Sequence, residues 1–174
     1  MKQMVIIVGK SGSGKDSIAD IICDNFRWEK VRVFTTRPKR GNETDGKDYF
    51  FVDENKIKEM EKDNEFVLIQ KFNNWYYCIP EFEILSKDNP LIVTNPAGLE
   101  ELKKKYDNTK SFYIDLDDGI RVLRQCMRNQ DYKEIERRYY SDMNDFLGIE
   151  ENVDYIIKNQ TNSKLAAFEI IKNI

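Results

Sequence analysis

Histidine is absent from this sequence, cysteine occurs only three times, and no long apolar run is present. Without histidine there is no histidine general base, no histidine metal ligand and no Ser-His-Asp triad, so enzyme chemistry must depend on lysine, arginine, carboxylates and a metal ion. The scattered Cys23, Cys78 and Cys126 match neither a disulfide framework nor a zinc site, which favours a reducing cytoplasm. No apolar stretch approaches the roughly 18 residues that span a bilayer, so we expect no membrane association.

An excess of basic residues is also lacking, because the net charge is −3 and the pI is about 5.3. This balance argues against broad electrostatic binding to nucleic acid. The 174 residues, 40% hydrophobic and 34% charged, suit a single globular domain over residues 1–174. The first residues lack a small-residue cleavage site and predict a buried strand rather than a signal peptide. The sequence does not indicate an oligomeric state.

Short apolar runs alternate with amphipathic stretches along most of the chain. Strands are predicted at residues 4–8, 31–34, 91–94, 111–115 and 154–158. Helices are predicted at residues 15–26, 97–106, 117–129, 132–146 and 163–172. Strands that alternate with helices indicate an α/β fold with a parallel sheet covered on both faces.

Residues 35–87 interrupt this alternation and predict a small, mostly antiparallel insertion in a core formed by residues 1–34 and 88–174. Strand-like runs lie close together at residues 49–52, 65–72 and 75–79. Asn73 and Asn74 indicate a tight turn between the last two runs. Asp53 is a suitable cap for a short helix that carries Ile57 and Met60.

A glycine-rich segment follows the first predicted strand and opens the first predicted helix. Its spacing from Gly9 to Lys15 is that of a phosphate-binding loop, in which backbone N–H groups curl round a phosphate and the lysine reaches the β- and γ-phosphates. A turn that merely joins strand to helix is the alternative, which this context disfavours. The predicted ATP-binding residues in the segment are Gly9, Ser11, Gly12, Ser13, Gly14, Lys15, Asp16 and Ser17.

Asp16 occupies the position where such loops usually carry a serine or threonine that binds Mg²⁺. An aspartate offers a hard oxygen ligand, so we predict that Asp16 holds the metal directly or through a water. The alternative is that Asp16 or Ser17 only caps the helix.

A second basic segment follows the strand predicted at residues 31–34. Arg37 and Arg40 offer planar guanidinium groups suited to a terminal phosphate, and the hydroxyl of Tyr49 can add a hydrogen bond. In an acidic protein this cluster indicates an anion site, although a solvated basic loop is a common alternative.

The stretch TTRPKRGNETDGKDYFFV, which contains this segment, closely resembles the guanylate kinase signature and follows the phosphate-binding loop at the expected distance. The resemblance covers nearly the whole chain. It implies a P-loop NTPase fold of three layers, with an acceptor-binding insertion and a mobile lid at about residues 124–140. It also implies transfer of phosphate from ATP to a nucleoside monophosphate, with Mg²⁺ as cofactor and small-molecule nucleotides as partners.

The same resemblance implies roles for individual residues. Arg37, Arg40, Tyr49 and Tyr77 match ligands of the acceptor phosphate. The other implied positions lie in the lid, at the transferred phosphoryl group and near the donor base, and are Arg124, Arg128, Arg138 and Asn159. With Lys15, the residues expected to be catalytic are Arg128 and Arg138, which neutralise charge and need no general base.

The family reads guanine with two acidic side chains, and this sequence has Leu68 and Asn95 at the matching positions. Gln70 points to the same face of a regular strand as Leu68 and can substitute. GMP or dGMP is the expected acceptor, and a nucleoside monophosphate with another base is the alternative, because loss of a base-reading hydrogen bond alters discrimination.

Three other functions stay open at this point. The loop sequence Gly-Lys-Asp-Ser is similar to that of ribose bisphosphate phosphokinases, and this resemblance implies a sugar-phosphate acceptor. A non-catalytic guanylate-kinase-like interaction module is possible in principle, but such modules usually have a degraded loop. A P-loop GTPase is disfavoured because the sequence lacks an Asn-Lys-x-Asp motif.

Overall fold

A computed structural model describes residues 3–39, 41, 43–128, 131–160 and 162–174 of the chain. In chain order the strands are β1 Met4–Val8, β2 Glu29–Lys30, β3 Phe34–Thr35, β4 Phe50–Phe51, β5 Phe66–Phe72, β6 Trp75–Pro80, β7 Pro90–Thr94, β8 Thr109–Asp115 and β9 Tyr155–Lys158. The helices are α1 Lys15–Asn25, α2 Glu54–Lys62, α3 Glu81–Leu85, α4 Pro96–Lys105, α5 Asp118–Cys126, α6 Tyr132–Asp145 and α7 Ser163–Lys172, with a 3-10 turn at Ile149–Glu151.

The main sheet has the strand order β2-β7-β1-β8-β9, and all its pairings are parallel. Every residue of β1 is buried, as expected for a central strand covered on both faces. Alternate side chains enter two cores: Ile6 packs with Leu99 and Leu102 of α4, whereas Ile7 packs with α1 and α7. This arrangement confirms the predicted α/β fold with helices on both faces of a parallel sheet.

A second sheet has the order β4-β3-β6-β5, in which β3–β6 and β5–β6 are antiparallel and β3–β4 is parallel. The hairpin between β5 and β6 turns at Asn73 and Asn74, both with positive φ, which is the geometry that favours asparagine in tight hairpins. Asp53 caps α2 by accepting a hydrogen bond of 2.9 Å from the N–H of Lys56. The helix buries Ile57 and Met60 against this sheet, as the sequence predicts.

The strand predicted at residues 31–34 is wrong as a single core strand. β2 ends at Lys30, and β3 begins at Phe34 in the other sheet. Val31 packs in the core of the main sheet, whereas Phe34 packs with Cys78 in the core of the second sheet. One apolar run therefore supplies two cores, and the chain crosses between the sheets inside it.

The helix boundaries otherwise agree with the predictions to within one to three residues, and residue 129, the predicted end of α5, lies outside the described residues. The short α3 has no counterpart among the predicted elements. Across the described ranges, no helix has the length and apolar character required to cross a membrane.

Candidate functional site

A cleft of about 420 Å³ lies between the carboxyl ends of β1 and β7, the second sheet and helices α5 and α6. This edge of a parallel sheet is where α/β proteins usually bind ligands. Most of the predicted site residues line the cleft, namely Gly9, Ser11, Gly12, Gly14, Lys15, Asp16, Ser17, Arg37, Tyr49, Leu68, Gln70, Tyr77, Asn95, Arg128 and Arg138. Ser13, Arg124 and Asn159 lie outside this lining, and Arg40 falls outside the described residues.

The glycine-rich loop between β1 and α1 has, at two positions, a backbone conformation that favours glycine. Gly12 and Gly14 have φ values of 81° and 89°, in the left-handed region. A Cβ atom added at Gly12 would lie 2.6 Å from the backbone oxygen of Arg121. The loop therefore packs directly on α5 and opens α1, an arrangement that can bind an anion through backbone N–H groups and the helix dipole.

Asn159 and Arg124 brace this loop from behind rather than from the cleft. The buried Asn159 donates a hydrogen bond of 2.7 Å from Nδ2 to the backbone oxygen of Ser13. Arg124 lies 3.4 Å from the same oxygen through Nη1 and 3.5 Å from the backbone oxygen of Asn159 through Nη2. Their assigned contact with ATP stays a prediction, and the contacts present support the shape of the loop.

The start of α1 carries a chain of alternating charges. Asp16 Oδ2 lies 3.6 Å from Lys15 Nζ, and Asp16 Oδ1 lies 3.9 Å from Lys30 Nζ. Lys30 also donates a hydrogen bond of 2.9 Å to Asp20. Desolvation works against the Asp16 carboxylate, but the charges of Lys15 and Lys30 more than offset it and hold the pKa of Asp16 below its ordinary value.

An ionised Asp16 in the cleft fits a magnesium site only if the substrate supplies most of the ligands. The described residues contain no group of three or more acidic, histidine or cysteine side chains able to hold a metal ion. Mg²⁺ commonly binds one or two carboxylates together with phosphate oxygens and waters, which one aspartate beside a phosphate-binding loop satisfies.

Lys30 was not singled out from the sequence. It lies at the end of the edge strand β2, and only the strand order of the main sheet brings it to the cleft beside Asp16. No local sequence signal indicates this neighbourhood.

The opposite wall of the cleft presents a buried, preoriented arginine. Arg37 is only 4% exposed and makes two hydrogen bonds to Glu43, at 3.0 Å from Nη1 and 2.8 Å from Nη2. Its guanidinium carbon lies 5.2 Å from the ring centre of Tyr49. Burial disfavours the charge, but Glu43 outweighs it, so the pKa of Arg37 is raised and the group stays cationic.

Two tyrosines complete this wall. The rings of Tyr49 and Tyr77 lie 6.5 Å apart in an edge-to-face arrangement. Burial raises the pKa of Tyr49 far above its ordinary value, so its hydroxyl stays protonated and can donate a hydrogen bond. Arg37 with these hydroxyls can bind a terminal phosphate dianion.

The end of the cleft near α4 contains two carboxamides of fixed orientation. Asn95 Oδ1 accepts hydrogen bonds of 2.8 Å from both the N–H of Gly98 and Nε2 of Gln70. Because the backbone donor of Gly98 requires an oxygen, Asn95 Nδ2 and Gln70 Oε1 are the polar atoms left to contact a ligand. Leu68 beside them is buried and purely apolar.

Helix α6 carries two arginines that share one carboxylate partner, and one of them, Arg138, lines the cleft. Glu134 accepts hydrogen bonds from Arg137 at 2.8 and 2.9 Å and from Nε of Arg138 at 2.7 Å. Hydrogen bonding by Arg137 is the largest cause that lowers the pKa of Glu134 to about 2. The guanidinium carbon of Arg137 lies 5.0 Å from the ring centre of Phe72, so α6 touches the second sheet. The sequence predicted Arg138, but it gave no indication of the shared partner Glu134.

Comparisons with known proteins give the family of this chain. A family model described as guanylate kinase matches residues 1–169. The guanylate kinase of Rickettsia prowazekii is 31% identical over 165 residues, which cover 90% of this chain and 82% of that protein. The guanylate kinase of Rhodopseudomonas palustris is 29% identical over 178 residues, which cover 98% of this chain and 80% of that protein.

A solved structure has the same fold. The crystal structure of guanylate kinase from Anaplasma phagocytophilum superposes with a TM-score of 0.76 and covers 99% of this chain and 84% of that one. At 17% sequence identity, this likeness concerns the fold alone.

Proposed function

The chain belongs to the guanylate kinase family of nucleoside monophosphate kinases, and we propose that it transfers the γ-phosphoryl group of ATP to GMP or dGMP. The observation that supports this most is that two anion sites face one cleft, with the glycine-rich loop and Lys15 on one wall and Arg37 with Tyr49 on the other. A hydrolase of a single nucleotide has no need of the second site.

The donor side of the proposed reaction uses the loop between β1 and α1. Its backbone N–H groups and Lys15 bind the β- and γ-phosphates of ATP. Asn159 and Arg124 act behind the loop, where their contacts with the carbonyl oxygen of Ser13 hold the loop in shape.

The acceptor side uses Arg37, with Tyr49 and Tyr77, to bind the monophosphate. Glu43 holds the guanidinium of Arg37 through two hydrogen bonds, so the site loses little side-chain entropy when the phosphate binds. Arg40 is assigned to the same phosphate by its place in the sequence motif. Such positioning aligns the acceptor oxygen with the γ-phosphorus for in-line transfer.

Arg128 and Arg138 stabilise the charge that spreads over the transferred phosphoryl group. When bound, Mg²⁺ supplies Lewis-acid stabilisation of the phosphate oxygens, and Asp16 is the carboxylate that would hold it. We also propose the division into a core, an acceptor insertion at residues 35–87 and a lid at about residues 124–140, whose closure excludes water and limits ATP hydrolysis. A cytoplasmic location is part of this proposal.

The test is ADP release from ATP and Mg²⁺ with a panel of ribo- and deoxyribonucleoside monophosphates and ribose bisphosphate. Lys15→Ala should lower kcat by about 100- to 1,000-fold, because it removes a donor to the reacting phosphates. The matched control is Lys10→Ala, since Lys10 lies in the same loop but pairs with Asp118 at 3.8 Å. This control should retain activity within about 3-fold of wild type.

Fast turnover of GMP or dGMP that depends on Lys15 supports the proposal. Turnover of ribose bisphosphate in preference to every nucleotide identifies a sugar-phosphate kinase instead. A folded protein that binds ATP but turns over no acceptor contradicts the proposed enzyme and indicates an interaction module.

A further inference from the structure

The peptide groups of Ser11, at the rim of the glycine-rich loop, are held by two helices at once. The backbone N–H of Ser11 donates a hydrogen bond of 2.8 Å to Asp142 Oδ2 on α6. Its backbone oxygen accepts a hydrogen bond of 2.9 Å from Nη1 of Arg121 on α5. Nη1 of Arg121 also donates a hydrogen bond of 3.1 Å to Oδ2 of Asp142. These contacts form a closed triangle, which ties α5 and α6 to the loop.

The two charged members of this triangle are buried. Arg121 is 1% exposed and Asp142 is 8% exposed. Arg121 also bonds Asp118 through Nε at 3.1 Å and Nη2 at 2.7 Å, so its donors are well used. A buried ion pair is tolerated only when further hydrogen bonds compensate its desolvation, and Ser11 and Asp118 provide them here. Such a contact fixes geometry more than it adds stability.

Helix α6 carries Asp142 and Arg138 on the same side. The two residues are four positions apart, which places them one turn from each other on one helical face, and both line the cleft. Lys15 lies on the same cleft, four residues after Ser11. The bond between Asp142 and Ser11 therefore sets the position of the Arg138 face of α6 relative to the phosphate-binding loop.

We propose that Asp142 is a positioning residue, which fastens helix α6 to the rim of the phosphate-binding loop so that Arg138 faces the phosphoryl group held by Lys15. The inference rests on the proposed function, because Arg138 is assigned there to the transferred phosphoryl group. Arg121 balances the negative charge of Asp142, so the Asp142 carboxylate can remain beside the incoming phosphates. A displacement of about 1 Å at such a site can cost about 100-fold in rate, and the cost falls on kcat when ground-state binding is unchanged.

The experiment is a double-mutant cycle in kcat with Asp142→Ala, Arg138→Ala and the double variant. Asp142→Ala should lower kcat by about 30- to 100-fold and change the KM for ATP by less than about 3-fold. In the Arg138→Ala background it should lower kcat by less than about 3-fold further, because the group that it positions is gone. If Asp142→Ala does not fold, Asp142→Asn takes its place in the cycle.

Glu136→Gln is the matched control, because Glu136 is an exposed acidic residue on the same helix and is not part of the cleft lining. It should leave kcat within about 3-fold of wild type. Additive losses in the cycle, or a lowered melting temperature with unchanged kcat, would overturn the positioning role.

Hydrogen exchange of the Ser11 amide separates this inference from the proposed function. The amide should exchange slowly in wild type and quickly in Asp142→Ala, whatever the substrate. Slow exchange that depends on Asp142, in a protein with no turnover, contradicts the kinase assignment but supports the contact. Equally fast exchange in both proteins contradicts the contact itself.

Discussion

Gln70 donates a hydrogen bond of 2.8 Å to the side-chain oxygen of Asn95, which joins strand β5 of the second sheet to the start of α4. Since Asn95 also caps α4 through Gly98, the orientation of both amides is fixed. The pair presents one acceptor, Gln70 Oε1, and one donor, Asn95 Nδ2. The Watson–Crick edge of guanine offers two adjacent donors, N1–H and the 2-amino group, and one acceptor, O6. The neutral pair therefore matches only part of the guanine edge.

Asn95→Asp should sharpen selection for guanine. The aspartate still caps α4 and accepts from Gln70, while its second oxygen replaces Nδ2 and can accept from N1–H and the 2-amino group. A charge-assisted hydrogen bond contributes about 1.5–3 kcal/mol, so the ratio of kcat/KM for GMP over IMP should rise by about 10-fold or more.

The measurement is steady-state kinetics with GMP, IMP and AMP. Asn152→Asp, an exposed change at the end of the 3-10 turn, controls for the added charge and should leave the ratio unchanged. An unaltered ratio in Asn95→Asp would show that Asn95 does not face the base.

Asp16→Ala should raise the Mg²⁺ concentration for half-maximal turnover by about 10-fold and lower kcat, because the cleft loses the carboxylate assigned to the metal. Asp20→Asn is the control, since Asp20 pairs with the same Lys30 but lies one turn further along α1. Turnover is measured against Mg²⁺ at saturating ATP. A Mg²⁺ dependence that matches wild type in Asp16→Ala refutes the metal role.

Much of the fold could be predicted because its signals are local. The β1–loop–α1 unit, the cap at Asp53 and the turn at Asn73–Asn74 each depend on a few consecutive residues. Residues 31–34 show the limit, since their apolar pattern does not reveal that Val31 and Phe34 belong to different cores.

The candidate site follows the same rule. The spacing of the phosphate-binding loop indicates Lys15, and the resemblance to the guanylate kinase signature indicates Arg37 and Tyr49. Their partners come from distant parts of the chain: Asp142 is 131 residues from Ser11, and Asn95 is 25 residues from Gln70. Only the tertiary structure brings such pairs together, so these contacts could not be derived from the sequence.

Glu43→Gln should raise the KM for the acceptor nucleotide by about 10-fold and leave the KM for ATP within about 2-fold of wild type. The substitution removes the charged partner that holds the Arg37 guanidinium through two hydrogen bonds. The guanidinium is then free to reorient, so it loses more entropy when it binds the phosphate. Glu59→Gln on α2, which pairs with Lys56 at the surface, is the control. Equal increases in both KM values would contradict a role confined to the acceptor site.

Glu134→Gln should destabilise the protein in a manner that depends on pH. The pKa of Glu134 is lowered from an ordinary 4.5 to about 2 by Arg137 and Arg138. A carboxyl with a lowered pKa stabilises the folded state fully above its unfolded pKa, and the contribution disappears as pH falls through the folded pKa.

The free energy of unfolding of Glu134→Gln should therefore lie about 1 kcal/mol below that of wild type at pH 7, allowing for solvent screening. The gap should narrow between about pH 4.5 and pH 2, as wild type protonates the group. Urea unfolding at pH 7, 5 and 3 measures this difference in the free energy of unfolding. Glu136→Gln, at an exposed position on the same helix, is the control. Because Arg138 is released as well, kcat should fall with stability at pH 7. A constant gap at all three pH values would mean that Glu134 is not held ionised by the two arginines.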